Sequence, residues 1–136
     1  MRSRAALCLC GILLSAPLSA QVVITPTSTV SFAASPDQAV TVGGVAVVTD
    51  YTVRVLAVGS STVVFSRSIG KPTPDATNAI TVPIGWTAAQ IAALPSGTYI
   101  LVTTVTGPGG TADSMPSDPF VVLTSPRAPG KPAVVR

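Results

Sequence analysis

The clearest alternation of apolar and polar residues lies between positions 51 and 58. Its apolar members on one side of an extended chain are Tyr51, Val53 and Val55. A period of two is typical of a β-strand that buries one face. The turn residues Gly59-Ser60-Ser61 lead into a second extended run, Thr62–Ser68, so the sequence predicts a hairpin here.

Similar runs recur along the chain, and turn residues separate them. The further predicted strands are Val22–Thr25, Thr29–Ala34, Ala79–Ile84, Thr98–Thr106 and Phe120–Leu123. Short strands at this spacing favour an antiparallel all-β fold over a βαβ one. In Thr98–Thr106 both faces carry apolar residues, so either both faces are covered or a bulge shifts the register.

One short helical turn is predicted near residues 88–94. Thr87 and Gln90 stand three apart, the spacing of a capping box in which hydroxyl and amide satisfy backbone donors. Ile91 and Leu94 then share a face, and Pro95 ends the turn. So short a helix is marginal alone, so we expect it to pack over one end of a sheet, with Trp86 either in that cap or exposed.

The first twenty residues have the layout of a secretory signal peptide. Arg2 and Arg4 precede an apolar run, Ala5–Leu14, and small residues follow up to Ala20. We expect cleavage after Ala20, a domain over 21–125 and a proline-rich flexible tail over 126–136. The apolar run is too short to span a bilayer, so we expect no membrane span after cleavage and a secreted, extracellular or periplasmic location.

The residue types that are missing restrict the chemistry. The chain has no histidine and no glutamate, and both cysteines, Cys8 and Cys10, lie in the predicted signal peptide. General acid–base and nucleophilic catalysis depend on such groups, so we expect no enzyme, no catalytic residues and no cofactor. The net charge of +3 falls to +1 without Arg2 and Arg4, which argues against a nucleic-acid partner.

The stretch Leu94-Pro95-Ser96-Gly97-Thr98-Tyr99 resembles the Leu-x-Pro-Gly-Thr-x-Tyr stretch of fibronectin type III domains. Tyr51–Val55 is similar to the third strand of that family, and Val30-Ser31-Phe32 to its second. The resemblance implies a seven-stranded antiparallel, immunoglobulin-like β-sandwich. Because the mature chain has no cysteine to form a disulfide, we expect a bacterial secreted protein. It also implies that the Tyr99 hydroxyl bonds backbone upstream of it. The residues expected to be structural are Phe32, Tyr51, Leu94, Tyr99 and Phe120.

In such a domain three long connections gather at one end: Ser35–Thr49, Gly70–Asn78 and Gly107–Asp118. Binding sites concentrate in loops of this kind. The candidate binding residues in them are Asp37, Val40, Lys71, Asp75, Asp113, Met115 and Asp118. We interpret the aspartates as turn residues and expect no metal, because calcium would require three of them to converge. The valines between 40 and 48 form either an extra hairpin around Gly43-Gly44 or an exposed patch.

Two functions remain open from the sequence. The first is a non-enzymatic module for adhesion that binds a protein or a glycan. The second is a structural subunit that self-associates by strand pairing through its apolar segment Gln21–Thr25 and its flexible tail.

Overall fold

The computed structural model describes residues 24–122, of which 48 % are strand and 6 % helix. The protein is therefore mostly β, as predicted. The strands are β1 Thr29–Ala33, β2 Thr41–Val42, β3 Val45–Ala46, β4 Asp50–Ala57, β5 Val63–Gly70, β6 Ala79–Pro83, β7 Gly97–Gly107, β8 Gly110–Asp113 and β9 Phe120–Val122, and the helix is α1 Ala88–Ala93. The predicted signal peptide, the tail and Leu123 lie outside the described residues.

The largest sheet is antiparallel and has the order β5-β4-β7-β8, with β9 also paired to β7. β8 lies beside the C-terminal part of β7, where Thr106 faces Thr111, and β9 lies beside its N-terminal part, where Tyr99 faces Phe120. The hairpin predicted across Gly59-Ser60-Ser61 is confirmed, because β4 and β5 pair antiparallel. β4 begins and ends one residue earlier than predicted, whereas β5 begins one residue later and ends two residues later.

The alternation in β4 is reflected in its burial. Tyr51, Val53 and Val55 are buried, whereas the intervening Thr52 and Arg54 are half-exposed. The register between β4 and β7 runs without a shift from Asp50 opposite Thr106 to Ala57 opposite Tyr99. On β7, Tyr99 and Val102 point to opposite faces and both are buried. Both faces of β7 are therefore covered, and no bulge between β4 and β7 is needed to explain its pattern.

A second, two-stranded sheet pairs β1 with β6, and Phe32 lies opposite Ile80. The valine-rich loop also forms the hairpin β2–β3, in which Val42 lies opposite Val45. Gly43 and Gly44 both have positive φ, the conformation that such a two-residue turn requires. Val42 and Val45 are exposed, so the loop is both a hairpin and an exposed apolar patch.

Side chains from both sheets meet in the core. One buried cluster joins Val30 of β1 to Val55 of β4, Tyr99 of β7 and Phe120 of β9. A second cluster joins Ala34, Val48, Tyr51 and Ile80. Phe32 packs against both clusters and its ring lies 5.5 Å from that of Tyr51. The two sheets therefore enclose one continuous apolar interior.

The capping box at α1 is confirmed. Thr87 Oγ1 accepts the Gln90 N–H at 3.2 Å, and Gln90 Oε1 accepts the Thr87 N–H at 2.9 Å. Trp86, just before the helix, is buried in the first core cluster, so it belongs to the cap rather than to an exposed contact. Within residues 24–122 no helix has the length and apolar character to cross a membrane.

Two predicted boundaries are wrong. Ile24 and Thr25 are not strand: Thr25 opens a turn in which its carbonyl accepts the Ser28 N–H at 3.0 Å. The predicted loop Gly107–Asp118 contains β8, because Pro108 and Gly109 make a tight turn that returns the chain along β7. Val22 and Val23 of the predicted first strand lie outside the described residues.

Candidate functional site

The candidate loop residues divide into two groups. Asp37, Val40, Lys71 and Asp75 are exposed and lie on the two connections β1–β2 and β5–β6. Gln38 Nε2 donates to the Pro72 carbonyl at 2.9 Å, so these two connections touch. Asp113, Met115 and Asp118 belong instead to β8 and the segment after it, which run along an edge of β7.

A buried tyrosine holds the first group together. The Tyr51 hydroxyl accepts the Ser35 N–H at 3.0 Å and donates to Gln38 Oε1 at 2.6 Å. Because Gln38 in turn bonds Pro72, one hydroxyl connects the end of β1 to the connection after β5. Tyr51 was expected as a core residue, and its polar tip adds this second role.

Asp75 serves its own turn. Its Oδ1 accepts hydrogen bonds from the Ala79 N–H at 3.0 Å, from the Thr77 hydroxyl at 2.7 Å and from the Thr77 N–H at 2.8 Å. These bonds favour the ionised carboxylate, so the backbone N–H of Ala79, followed by Thr77, lowers the pKa of Asp75. The carboxylate is oriented toward its own backbone.

Asp113 is engaged on the sheet. It accepts the Thr104 hydroxyl at 2.7 Å and forms an ion pair with Arg54 at 2.6 Å. The Thr104 hydrogen bond and then Arg54 lower the pKa of Asp113. Arg54 on β4 lies opposite Val102 and Asp113 on β8 lies opposite Thr104, so the ion pair spans β7 between them.

The segment after β8 closes the edge of β7 without forming a regular ladder. Ser114 Oγ accepts the Thr103 N–H at 3.0 Å, and Ser117 Oγ accepts the Leu101 N–H at 2.9 Å. The N–H groups of Ser114 and Ser117 return bonds to the carbonyls of the same two residues. Met115 stands between these serines with 89 % of its surface exposed. Asp118 is exposed and follows them.

The described part of the chain brings no group of three or more acidic or other metal-ligating side chains together. Asp75 is hydrogen-bonded within its own turn, and Asp113 is bound to Thr104 and Arg54, as described above. Asp50 is also engaged, since its carboxylate accepts the Ser68 hydroxyl at 2.6 Å and the Gly70 N–H at 3.0 Å. The three-aspartate convergence that calcium would require is not formed here.

An opening lies between β1 and the β7 edge. We call this cavity of about 540 Å³ the β1 groove; it is defined by β1, Leu101, Val105, Ala112 and the segment Ser114–Ser117. Val30 and Phe32 form its apolar floor, and Met115 stands on its rim. Asp113 and Met115 are the candidate residues that line it. The others lie elsewhere.

One side of β1 offers backbone groups to this groove. Ser28 O accepts the Ile84 N–H and Ala34 N–H donates to Asn78 O, which fixes the hydrogen-bonding parity of the β1–β6 ladder. In an antiparallel pair only every second residue bonds to the partner. Thr29, Ser31 and Ala33 therefore direct their N–H and C=O groups away from β6. No other strand among residues 24–122 pairs with β1.

On the side away from β1, a side chain connects the two sheets. Arg67 of β5 donates from Nη1 to the carbonyl of Pro83 on β6 at 3.1 Å. Its guanidinium also occupies the space beside Gly85. A long side chain thus joins the outer strands of the two sheets there, whereas the β1 side has no such bridge in the described region.

Most residues of the β1 groove were not predicted from the sequence. Leu101, Ser114 and Ser117 are lining residues that carry no motif of their own. The available signal was indirect: Ser114 and Ser117 stand three apart in a proline-flanked segment between two strands of one sheet. Which side of β1 stays unpaired depends on how strands distant in sequence pair with one another. The local pattern of apolar and polar residues does not give that pairing.

Comparison with known proteins adds no assignment: the chain matches no family model, no curated protein and no solved structure.

Proposed function

We propose that this chain is a non-enzymatic, exported module with a fibronectin type III-like, seven-stranded β-sandwich, and that it binds an extended segment of another protein in the β1 groove. The fold part is supported by the division of strands between two sheets that share a core, and by the Tyr99 hydroxyl, which donates to the Pro95 carbonyl at 2.7 Å. Export is supported by the charged and apolar start of the chain.

The observation that carries the binding proposal is the free side of β1 beside an apolar groove. An extended peptide adds to such an edge by backbone hydrogen bonds, and pockets for alternate side chains give specificity. Thr29, Ser31 and Ala33 supply the backbone groups, and Val30, Phe32 and Leu101 supply apolar contact surface. A strand edge selects a polypeptide over a glycan, so of the two ligand classes we propose the protein.

A proline in β1 tests the proposal. Ala33→Pro removes an N–H that faces the groove and leaves the β6 ladder intact, because Ala33 does not bond to β6. Ala33→Val is the matched control, since it is similar in size and keeps the N–H. The probe is a synthetic heptapeptide of alternating valine and threonine, followed by NMR shifts of the β1 amides.

We expect the heptapeptide to shift the amide resonances of residues 31 and 33 in the parent and in Ala33→Val. In Ala33→Pro the Ser31 amide resonance should stay unchanged. Equal shifts in both variants, or shifts confined to the loops that carry Asp37 and Asp75, would refute binding at β1.

Self-assembly is the second candidate, and one feature favours it. The segment Gln21–Thr25 is apolar and β-branched, the composition that a strand donor requires, and it belongs to this chain. In that case the strand in the β1 groove comes from a second copy. Light scattering would then show mass that rises with concentration in the parent and not in Ala33→Pro. A monomer at all concentrations rules this candidate out.

A further inference from the structure

The β1 groove has three levels along its length, which β7 defines. At each level a core-facing residue of β7 is joined to one residue of the chain that runs along its edge. From the first level to the third, the pairs are Leu101 with Ser117, Thr103 with Ser114, and Val105 with Ala112. All six residues line the groove, so a strand added to β1 meets the three levels one after another.

β1 supplies the facing wall of each level. Val30 belongs to the core cluster against which Leu101 packs, and Ala34 to the cluster against which Val105 packs. Phe32 packs against both clusters and so lies between these two positions. From the first level to the third, the facing side chain is therefore a valine, a phenylalanine and an alanine.

The third level has the smallest side chains on its walls. Ala34 of β1 and Ala112 of β8 each contribute one methyl group, and Ala112 is exposed. The rings of Phe32 and Tyr51, whose centroids lie 5.5 Å apart, also line the groove beside this level. Aromatic rings pack favourably on one another in tilted and offset arrangements. A bulky aromatic side chain therefore suits the third level better than a valine does.

The charges of the lining residues restrict what enters the groove. Asp113 is the one charged residue among the described residues that line it, and its carboxylate already forms an ion pair with Arg54. Moving an unpaired charge into apolar surroundings is unfavourable. The side chains that a bound segment directs into the three levels are therefore uncharged.

We propose that the segment bound in the β1 groove carries an aromatic side chain in the third level, between Ala34 and Ala112, and smaller β-branched side chains in the other two levels. This inference rests on the proposed function, because the segment adds to the free side of β1. Alternate residues of a strand point to the same face, so the three levels take every second residue of the segment. The partner is thus an uncharged apolar strand with an aromatic residue at one end of its inward-facing set.

Four synthetic peptides test this order of side chains. The first is the heptapeptide described above, with threonine at its odd positions and valine at its even positions. In the other three, phenylalanine replaces the second, the fourth or the sixth residue, so these three have the same composition. Dissociation constants are obtained from the shift of the Ser31 amide resonance.

We expect phenylalanine at one end, in the second or the sixth position, to bind about tenfold more tightly than the valine peptide, as added apolar contact in a fitting pocket provides. Phenylalanine in the fourth position meets Phe32 and should bind no more tightly than valine. Equal affinities of the three phenylalanine peptides would overturn the proposal, because hydrophobicity and not position would then determine binding.

A substitution on β8 locates the effect. Ala112→Leu fills the third level and should abolish the tenfold advantage, while the valine peptide still binds. Thr111→Leu is the matched control and should keep the advantage, because neighbouring residues of a strand point to opposite faces. Unchanged methyl resonances of Val55 establish that both variants are folded.

Failure of this inference and failure of the proposed function give different results. If the valine peptide shifts the Ser31 amide and phenylalanine gives no advantage at either end, the aromatic preference is wrong and binding at β1 stands. An advantage that persists in Ala112→Leu also overturns the preference. If none of the four peptides shifts the Ser31 amide, both are wrong.

Discussion

At the scale of single residues, side chains replace main-chain pairing at several strand ends. Tyr51 satisfies the Ser35 N–H where β1 has ended, and Ser114 and Ser117 satisfy N–H groups of β7 where β8 has ended. A buried donor without an acceptor is costly, so these side chains determine how the chain may continue beyond each ladder.

Removing the Tyr51 hydroxyl is therefore expected to loosen the β1–β2 connection. Tyr51→Phe leaves the Ser35 N–H and the Gln38 amide without this partner, and we expect a loss of about 1–3 kcal/mol in the free energy of unfolding. Urea unfolding measures the loss, and hydrogen exchange at Ser35 locates it. Tyr99→Phe is the matched control, since it removes the hydroxyl that bonds Pro95 instead. Exchange at Ser35 that is equally fast in both variants would contradict the assignment.

The ion pair of Arg54 with Asp113 predicts a pH dependence. The fold lowers the pKa of Asp113 below its ordinary value of 3.8, through the Thr104 hydroxyl and then Arg54. Its stabilising contribution is thus present above that ordinary value and is lost as the pH falls through the lowered one. Because the pair is partly exposed, we expect Asp113→Asn to cost at most about 1 kcal/mol at pH 7.

The measurement is urea unfolding of parent and Asp113→Asn at pH 7 and pH 2.5. The difference between them should narrow as the pH falls, because protonation of the parent carboxyl removes the same charge as the substitution. Asp118→Asn makes the same charge change where no described side chain pairs with the carboxylate, and should show little difference at either pH. A gap that stays constant with pH would mean that Asp113 acts through packing alone.

At the scale of elements, the β3–β4 connection packs closely against the C-terminal end of β7. A Cβ at position 107 would overlap the carbonyl oxygen of Val47. Thr49 also joins this connection to β7, because its N–H donates to the Thr106 carbonyl at 2.8 Å. We expect Gly107→Ala to cost about 1–3 kcal/mol in unfolding free energy, because backbone must move. Thermal unfolding measures it.

Gly109 provides the control within the same turn. Neither glycine has a positive φ, and a Cβ at position 109 would meet nothing within 4 Å. Gly109→Ala should therefore be close to neutral. If the two variants are equally stable, β7 and Val47 are not in the contact described.

Elements with a local signal were predictable from the sequence, and elements defined by distant partners were not. The alternation of Tyr51, Val53 and Val55 and the capping box of Thr87 and Gln90 each lie within one element, and each is observed. β8 was placed in a loop because Gly-Thr-Ala-Asp has no apolar rhythm, and it becomes a strand because β7 offers it an edge. Asp113 therefore lies on a strand rather than in the predicted loop, and its ion-pair partner Arg54 is 59 positions away in the sequence.

At the scale of the whole molecule, the described region closes two sheets over one interior without a cysteine, since Cys8 and Cys10 precede it. Its stability then depends on apolar packing, with added contributions from hydrogen bonds and the Arg54–Asp113 ion pair, and not on a covalent cross-link. Phe32 and Ile69 contact both core clusters, and so link the part of the core around Val55 to the part around Ile80. Such a core is expected to unfold as one unit.

Cavity-forming substitutions in each cluster test whether the core is one unit. Val55 is 0 % exposed and Ile80 1 %, so we expect Val55→Ala to cost about 2 kcal/mol and Ile80→Ala about 2–5 kcal/mol. Both should lower the midpoint of one shared transition, followed by Trp86 fluorescence and by circular dichroism. Val42→Ala, at a side chain that is 70 % exposed, should change stability by at most about 0.5 kcal/mol. If Ile80→Ala moved the circular dichroism transition and left the fluorescence transition in place, the two clusters would be separate units, and the sheets could not share one core.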